Sequence, residues 1–527
     1  MPSLAPISKG EFFQLFQRCI PPGGWPHTIA NSGGPDSTCL LHSLSSLVKN
    51  GPSGLPRRLL SIHINHQLQA ASNDMADLAS KNARALDVEH LVFTVPWSKP
   101  PYPNFPHAAS TESLARSARM RAFFDLMTRE GTTVLALGHH ADDQVETVIM
   151  RAARQSRFMG LGGMMPVRRW GMGDDASEDP LASFGNQGMS RWMVRPFLTV
   201  PKNALRYTID KTNFEPSLTV RNAIRHALDS SDGLHSTLSD VEMNIPKLLK
   251  GSSDSPQNRD DLREIVRLSG QHVDMVNGQV DNILARCLLP TLPSTVTLPS
   301  AWLQNIPSDT LEGLMARVLR YVSCHPWGSR RARASGSSSA YQVIMNSVTQ
   351  NGPEVRPRSP FVPGASVLFR PGFVAQDGIF RQVDQQPENM RPAWRLQRTP
   401  PHEKNRSELD KKPKPLLVKI APLLSQWRPR REDPILLYDH RFRLHFDMAR
   451  VPPRVLSVLR DNSDAEMYVR PNGPEHSPKV VWLTGSREVI LADYRRDVLG
   501  MSEGKSKAKV PKQNWIRMKL VRSLEAI

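Results

Sequence analysis

The sequence predicts an α/β chain: a doubly wound parallel sheet, followed by a helical region and a small mixed C-terminal domain. Three observations carry this. From residue 27 to about 228, short apolar runs alternate with helical patterns, the mark of βαβ units around a parallel sheet. A long amphipathic pattern then fills 261–289, and strand-like runs separated by linker compositions occupy the last third. Finally, 527 residues exceed what one core holds, since domains commonly hold about 100 to 200 residues.

Strands are expected at HTIAN (27–31), LLSIHIN (59–65), HLVFTV (90–95) and TTVLALG (132–138). Helical patterns at 37–49, 72–86 and 110–129 fall between them and another begins near Asp142, so each strand is followed by a crossover helix. A polar stretch with Gly and Asp, 167–190, interrupts the pattern before WMVRPFL and reads as a surface insertion. These elements make up a first domain, 1–228. A helical domain at 229–330 rests on the patterns at 261–289 and 311–322. The compositions of 330–340 (RRARASGSSSA) and 384–415 mark 331–415 as a low-complexity linker region. ILLYD (435–439), KVVWLTG (479–485) and WIRMKLV (515–521) then predict a β-containing C-terminal domain, 416–527.

Lys and Arg number 68 against 50 Asp and Glu, a formal charge of +18, which favours a polyanionic partner such as nucleic acid. Such a charge can also serve solubility alone, so motifs have to decide. Cys19, Cys39, Cys287 and Cys324 include no C-x-x-C pair, which speaks against a disulfide framework or zinc ribbon. No apolar run reaches about 18 residues, so no membrane span is expected. The first twenty residues hold Lys9 and Arg18 but also Glu11, and show no clear targeting signal.

The strongest motif is Ser32-Gly33-Gly34-Pro35-Asp36-Ser37, directly after a predicted strand and before a helix. Two glycines let the backbone approach a phosphate, the loop N–H groups and helix N-terminus supply positive potential, and the Ser32 and Ser37 hydroxyls can donate to phosphate oxygens. Asp36 beside a triphosphate would be repelled unless Mg²⁺ bridged the two, so a magnesium-dependent nucleotide site is expected. An ordinary Gly-Gly turn with a Ser/Asp cap is the plain alternative. The loop lacks G-x-x-x-x-G-K-[ST] and is no Walker A site.

After TTVLALG comes His139-His140-Ala141-Asp142-Asp143-Gln144-Val145-Glu146-Thr147, at a strand's carboxyl end, where open α/β sheets bind ligands. Asp143 and Glu146 are three apart and share a helix face, so together they can grip a cation, either a substrate ammonium or a metal. A solvated acidic helix start is the alternative.

The SGGPDS loop resembles that of the N-type ATP pyrophosphatases, the PP-loop superfamily, which cleave ATP to AMP and pyrophosphate. The H-H-x-D-D-x-x-E-T string resembles the lysidine synthases among them, and the similarity continues through Arg151, Arg154, Gln155, Ser156 and Gly160 to Met164. Glu112-Ser-Leu-Ala-Arg116-Ser-Ala-Arg119 resembles that family's E-x-x-A-R-x-x-R helix, though Glu112 and Arg116 also suit a plain i,i+4 pair. SIHINHQL (61–68), with His63, resembles its second strand, near which the adenine sits. Arg195-Pro-Phe-Leu, Asp210-Lys-Thr-Asn213 and Arg221-Asn222-Ala-Ile-Arg225 follow in the family's order. The resemblance covers roughly 27–228.

The resemblance implies an adenine nucleotide alpha hydrolase-like fold and a tRNA(Ile)-lysidine synthase activity, a ligase forming a carbon–nitrogen bond. ATP and Mg²⁺ would be the cofactors; tRNA(Ile) with a CAU anticodon and L-lysine would be the partners, and a homodimer is compatible with it. Ser32, Gly33, Gly34, Pro35, Asp36, Ser37 and His63 would bind ATP, Asp36 positioning Mg²⁺. Asp143 and Glu146 would hold lysine, and Arg116 would stabilise developing negative charge. Arg154, Arg195, Arg221, Asn222 and Arg225 would meet tRNA. A eukaryotic source would imply the mitochondrial matrix, a bacterial one the cytoplasm. Asn31 stands where the family usually has a small or apolar residue and Arg157 where glycine is common; neither is expected to touch a catalytic group. The gap from Leu198 to Asp210 is short for the family. A thiolase of the same superfamily would need a suitably placed cysteine, and an inactive RNA-binding relative need not have kept Asp36, Asp143 and Glu146.

Overall fold

In a computed structural model, the described residues are 7–21, 24–25, 28–51, 55, 58–104, 111–154, 156–173, 180–205, 259–287, 292–303, 305–333, 359–376, 378–383, 386–400, 416–429, 431–501 and 515–522. Gln155, the 210–216 motif and Arg221, Asn222 and Arg225 lie outside them. The chain divides into two compact units, Met1–Gly278 and Gln279–Ile527.

The first unit opens with α1 (Lys9–Gln17). The Ser8 hydroxyl accepts from the Glu11 N–H while the Glu11 carboxylate accepts from the Ser8 N–H, a capping box. Phe12 and Phe16 are buried, and the Phe12 ring lies 5.5 Å from Phe197, so this stretch belongs to the core. There follow β1 (Thr28–Ala30), α2 (Pro35–Asn50), β2 (Leu60–Asn65), α3 (Ser72–Ala85), β3 (Glu89–Thr94), α4 (Thr111–Arg129), β4 (Val134–Ala136), α5 (Ala141–Ala153), α6 (Phe158–Leu161), β5 (Val167–Arg169) and β6 (Trp192–Val194). The sheet runs β3-β2-β1-β4-β6-β5, all parallel except β5 on β6. Strand order steps outward on both sides of β1, which makes the β1/β4 edge the switch point of a doubly wound sheet.

Successive side chains leave the sheet on opposite faces. Val134, Ala136 and Val194 pack with Ile29, Leu40 and Phe197 on one face, while Leu135 and Met193 pack with Leu60, Ile62 and Phe123 on the other. Two buried faces explain why β4 (VLA) and β6 (WMV) read as unbroken apolar runs. Each such Leu or Ile stabilises the fold by about 1.5 to 3 kcal/mol relative to exposure.

The described parts of 167–190, residues 167–173 and 180–190, do not form a surface insertion. β5 pairs antiparallel with β6, and Trp170, Met172, Leu181 and Met189 are buried. The rings of Trp170 and Phe184 cluster with Phe124, their centroids 4.8 to 5.7 Å apart. These apolar residues are scattered among glycines with neither strand nor helix periodicity, which hid them from pattern reading.

The division between units falls within α7 (Arg259–Cys287), whose Leu262 and Val266 pack with Val145 and Ile149 of α5. The second unit holds β7 (Val296–Pro299), α8 (Ser308–Val322), β8 (Phe361–Gly364), β9 (Val367–Val374), β10 (Phe380–Arg381) and β11 (Arg391–Arg398). The strands form one sheet, β10-β9-β11-β7 with β8 on β9. Part of the expected linker is therefore sheet, and a strand lies inside the stretch expected to be helical. Val367 and Phe369, and Trp394 and Leu396, turn inward at a period of two, a signal diluted in the sequence by flanking Pro and Arg.

After it come β12 (Val418–Lys419), β13 (Ile435–Tyr438), β14 (Phe442–Phe446), β15 (Met467–Asn472), β16 (Ser477–Thr484), β17 (Arg487–Asp493) and β18 (Ile516–Leu520), in sheets β12-β15-β16-β17 and β13-β14-β18. Tyr438, Phe442, Leu444, Met467 and Trp515 share their core. Among the described residues, no helix is long and apolar enough to cross a membrane.

Candidate nucleotide site

The phosphate-loop candidates form the turn from β1 into α2, at the carboxyl edge of the sheet. Gly33 has φ of +80°, and a Cβ there would meet the Met75 carbonyl oxygen of α3 at 2.6 Å, so glycine is required. Gly34 caps α2 without a side-chain acceptor, and Pro35, which has no N–H, takes the first helical position. The first turn therefore presents its N–H groups and the positive end of the helix dipole, where an anion can sit. The Ser32 and Ser37 hydroxyls lie 3.0 Å apart, and the Ser32 N–H donates to Ser37 Oγ at 3.1 Å.

Asn31 underlies the same turn and, as expected, its side chain makes no hydrogen bond to Asp36, Arg116, Asp143 or Glu146. Its buried Oδ1 accepts from the Gly33 N–H at 3.0 Å and from the Ser37 hydroxyl at 3.4 Å, so it touches two phosphate-loop residues directly. His63 of β2 is buried behind it, with Nδ1 3.0 Å from the Asn31 carbonyl oxygen. A carbonyl only accepts, so Nδ1 carries the hydrogen and Nε2 is left as an acceptor. Burial holds the His63 pKa below its ordinary value.

From β4 the chain passes through Gly138 to His139, His140 and α5. A Cβ on Gly138 would sit 3.0 Å from the Asp36 carbonyl oxygen, so the two strand-end turns abut. His140 caps α5: its Nδ1 accepts from the Asp143 N–H at 3.4 Å, and the Asp143 carboxylate accepts from the His140 N–H at 3.0 Å. In the neutral ring Nε2 then carries the hydrogen. It stands 3.5 Å from Asp36 Oδ2 and 3.6 Å from Asp143 Oδ2. Burial pulls the His140 pKa down, but Asp36, Asp143 and Asp142 together outweigh it and leave it raised. His140 thus joins Asp36 to Asp143, a link that spacing along the chain does not reveal.

The acidic start of α5 is not a solvated helix end: Asp142, Asp143 and Glu146 are 7%, 8% and 2% exposed. Asp142 accepts from the Lys202 N–H at 2.9 Å and from Arg263 Nη2 at 2.6 Å. Burial pushes its pKa up, and those two partners more than reverse the effect. Asp143 and Glu146 remain as the buried pair on one face of α5, next to the loop that carries Asp36.

Arg195 directly follows β6 and is buried, donating to the Met165 carbonyl at 2.8 Å. Burial first, then the like charges of Arg168, Arg116 and Arg151, lower its pKa; it remains a cation. Arg116, exposed on α4, thus belongs to the same basic neighbourhood. Arg154 is not brought to the loop. It is the C-cap of α5, roughly 20 Å from the His140 end at 1.5 Å per residue.

Asp36 Oδ1 is buried and has no hydrogen-bond partner among the described residues. An unused carboxylate oxygen beside a phosphate loop fits Mg²⁺, which takes one or two carboxylates and fills its shell with phosphate oxygens and water. Among the described residues, no group of three or more His, Cys, Asp or Glu is set to hold a metal alone.

A glycine loop opening a helix at the switch point, beside a buried acidic pair, is an arrangement suited to an anion, and residues 13–231 match the family model described as the PP-loop domain. The relatives are more particular. The chain is 30% identical over 206 residues to the tRNA(Ile)-lysidine synthase of Bacillus subtilis (strain 168), covering 37% of this chain and 38% of that protein. It is 32% identical over 201 residues to the enzyme of the same name from Methylobacterium nodulans, covering 38% and 50%. It is 25% identical over 377 residues to that of Lactiplantibacillus plantarum, covering 67% and 74%. The match thus spans well under two thirds of the first two relatives. The resemblance drawn from the motifs is borne out.

Proposed function

We propose that the protein is a tRNA(Ile)-lysidine synthase, joining lysine to carbon 2 of the wobble cytidine of tRNA(Ile) with a CAU anticodon at the expense of ATP. The observation that carries this is the meeting of the phosphate loop with the buried Asp143–Glu146 pair through His140, in a domain whose relatives bear that name.

Ser32, Gly33, Gly34, Pro35 and Ser37 cradle the ATP phosphates, with His63 towards the adenine. Asp36 would hold Mg²⁺, which when bound would supply charge neutralisation to the triphosphate. The cytosine 2-oxygen bonds to the α-phosphorus and pyrophosphate leaves. The lysine amine then attacks carbon 2, the carbon–oxygen bond breaks, and AMP departs. Asp143 and Glu146 hold the lysine ammonium, and one of them takes the proton that makes the amine a nucleophile. Arg116 stabilises negative charge as it develops. Arg154, together with Arg221, Asn222 and Arg225, meets tRNA phosphates, whose contacts dominate nucleic-acid affinity, whereas the Arg195 expected beside them is buried on the Met165 carbonyl and is withdrawn from that set. The target cytidine must be splayed out of its loop to be reached.

A thiolase is disfavoured by the cysteines. Cys19 and Cys39 are buried, and burial pushes both thiols up to about 11, away from the reactive thiolate.

The test is incubation of the full chain with ATP–Mg²⁺, radiolabelled lysine and tRNA(Ile) bearing CAU, with Asp36→Ala as control. Label should enter tRNA only with ATP and intact Asp36. Binding of tRNA without incorporation would replace the enzyme reading with that of an RNA-binding relative.

A further inference from the structure

Beneath the phosphate loop lies a buried amide that is hydrogen-bonded through both its nitrogen and its oxygen. Asn31 is 1% exposed. Besides accepting from the Gly33 N–H, it donates through Nδ2 to Ser61 Oγ at 3.1 Å and to the Ala79 carbonyl of α3 at 3.3 Å. Both donor hydrogens and one lone pair of the amide are thus met, while Ser37 Oγ, whose single hydrogen has a nearer acceptor in the Gly34 carbonyl at 3.1 Å, lies 3.4 Å from Oδ1. Its orientation is set by groups with one role each: the Ala79 carbonyl only accepts and the Gly33 N–H only donates. A flipped amide would oppose acceptor to acceptor and donor to donor. The backbone is held too, the Asn31 N–H donating to the Ile62 carbonyl at 2.9 Å. Ser61 Oγ lies 2.9 Å from His90 Nδ1, so a buried polar chain runs from β3 through β2 to the loop.

We propose that Asn31 is a positioning residue for the nucleotide, holding the phosphate loop in its anion-binding form before ligand arrives. The Gly33 N–H is turned inward onto Asn31, which leaves the N–H groups beyond it at the start of α2 to face the ligand. Glycine pairs lose much conformational freedom on ordering, and a loop ordered in advance binds without that loss. Asn31 acts through Gly33 and Ser37 and through its tie to α3, the helix whose Met75 carbonyl excludes any side chain at position 33. The inference rests on the nucleotide part of the proposed function and is independent of lysine and tRNA.

Calorimetric titration of the full chain with ATP–Mg²⁺ tests it, on the wild type, Asn31→Ala, Ser61→Ala and the double variant, with melting temperature and tRNA affinity measured alongside. Losing the hydrogen bond to Gly33 and the contact with Ser37 predicts ATP affinity weakened about fivefold or more in Asn31→Ala, with tRNA affinity unchanged. Ser61→Ala, altered outside the loop, should weaken ATP in the same direction by less, and the double variant should be no weaker than Asn31→Ala, since the two act as one unit. Unchanged affinity in Asn31→Ala, or additive losses, overturns the proposal. If Asn31→Ala does not fold, Ser61→Ala decides, unchanged affinity again overturning it. A wild type that binds no ATP sinks both this proposal and the proposed function, whereas one that binds ATP without incorporating lysine sinks only the latter.

Discussion

His140 Nε2 stands 3.5 Å from Asp36 Oδ2, so the residue that caps α5 also touches the carboxylate that opens α2. Two strand-end turns far apart in sequence are thereby coupled through one buried ring. His140→Ala removes both cap and contact, with an expected stability loss of about 1 kcal/mol, typical of an N-cap, and at least about a tenfold fall in lysine incorporation. His140→Asn keeps an acceptor for the Asp143 N–H but cannot reach Asp36. It should recover the melting temperature and not the activity. Full activity in His140→Asn would show the Asp36 contact to be idle.

Gly33→Ala sets a Cβ at 2.6 Å from the Met75 carbonyl in a left-handed backbone. The loop has to move, at a cost of about 1 to 3 kcal/mol. ATP binding should be lost while the rest of the fold persists, read by calorimetry and circular dichroism on the same sample.

Arg263 and Asp142 meet at 2.6 Å with side chains 17% and 9% exposed. Arg263→Gln withdraws the cation from a buried carboxylate, and a denaturant melt should show about 1 to 3 kcal/mol lost at neutral pH. Because the fold depresses the Asp142 pKa, the stability it confers is present above the usual carboxylate pKa and lost as pH falls through the folded value. The variant should therefore differ less from wild type in acid; a constant difference at all pH values would refute the pairing.

His66 and His90 are held down to about 4, each chiefly by burial. Both are neutral in the fold near pH 6, where an unfolded histidine is largely protonated. Stability is therefore complete above about 6.5 and falls as pH drops towards about 4, by at most about 1.4 kcal/mol per pH unit for each ring. His90→Gln should flatten the slope between those limits, measured by urea unfolding across the range.

In the second unit, Asp439 accepts from Arg398 at 2.8 Å and from Arg441 at 2.5 Å, and the Arg441 side chain is fully buried. Asp439→Asn leaves two enclosed guanidiniums without their shared anion, for which about 3 to 5 kcal/mol is the usual loss. Chemical denaturation of the full chain should register a destabilisation of that size. A loss under about 1 kcal/mol would mean that the backbone carbonyls around Arg441 suffice.

The four strands HTIAN, LLSIHIN, HLVFTV and TTVLALG and the helices after them were legible in the sequence, because apolar residues at strand and helix periods report local geometry directly. So was the SGGPDS loop, whose residue types are dictated by local backbone demands: a positive φ at Gly33 and a helix start at Pro35. Residues 361–398 were not legible as strands, nor was the aromatic packing of Trp170 and Phe184, because there the pattern is short and the burial comes from distant partners. Tertiary structure alone decided that Asp142 turns to Arg263, that His140 joins Asp36 to Asp143, and that Asn31 holds the loop from below. The first depends on the packing of α7 against α5, the last two on side chains brought within hydrogen-bond reach by parallel strand pairing. Such pairing is specified by the buried faces of the whole sheet, whereas periodicity and motif spacing report only on neighbours along the chain.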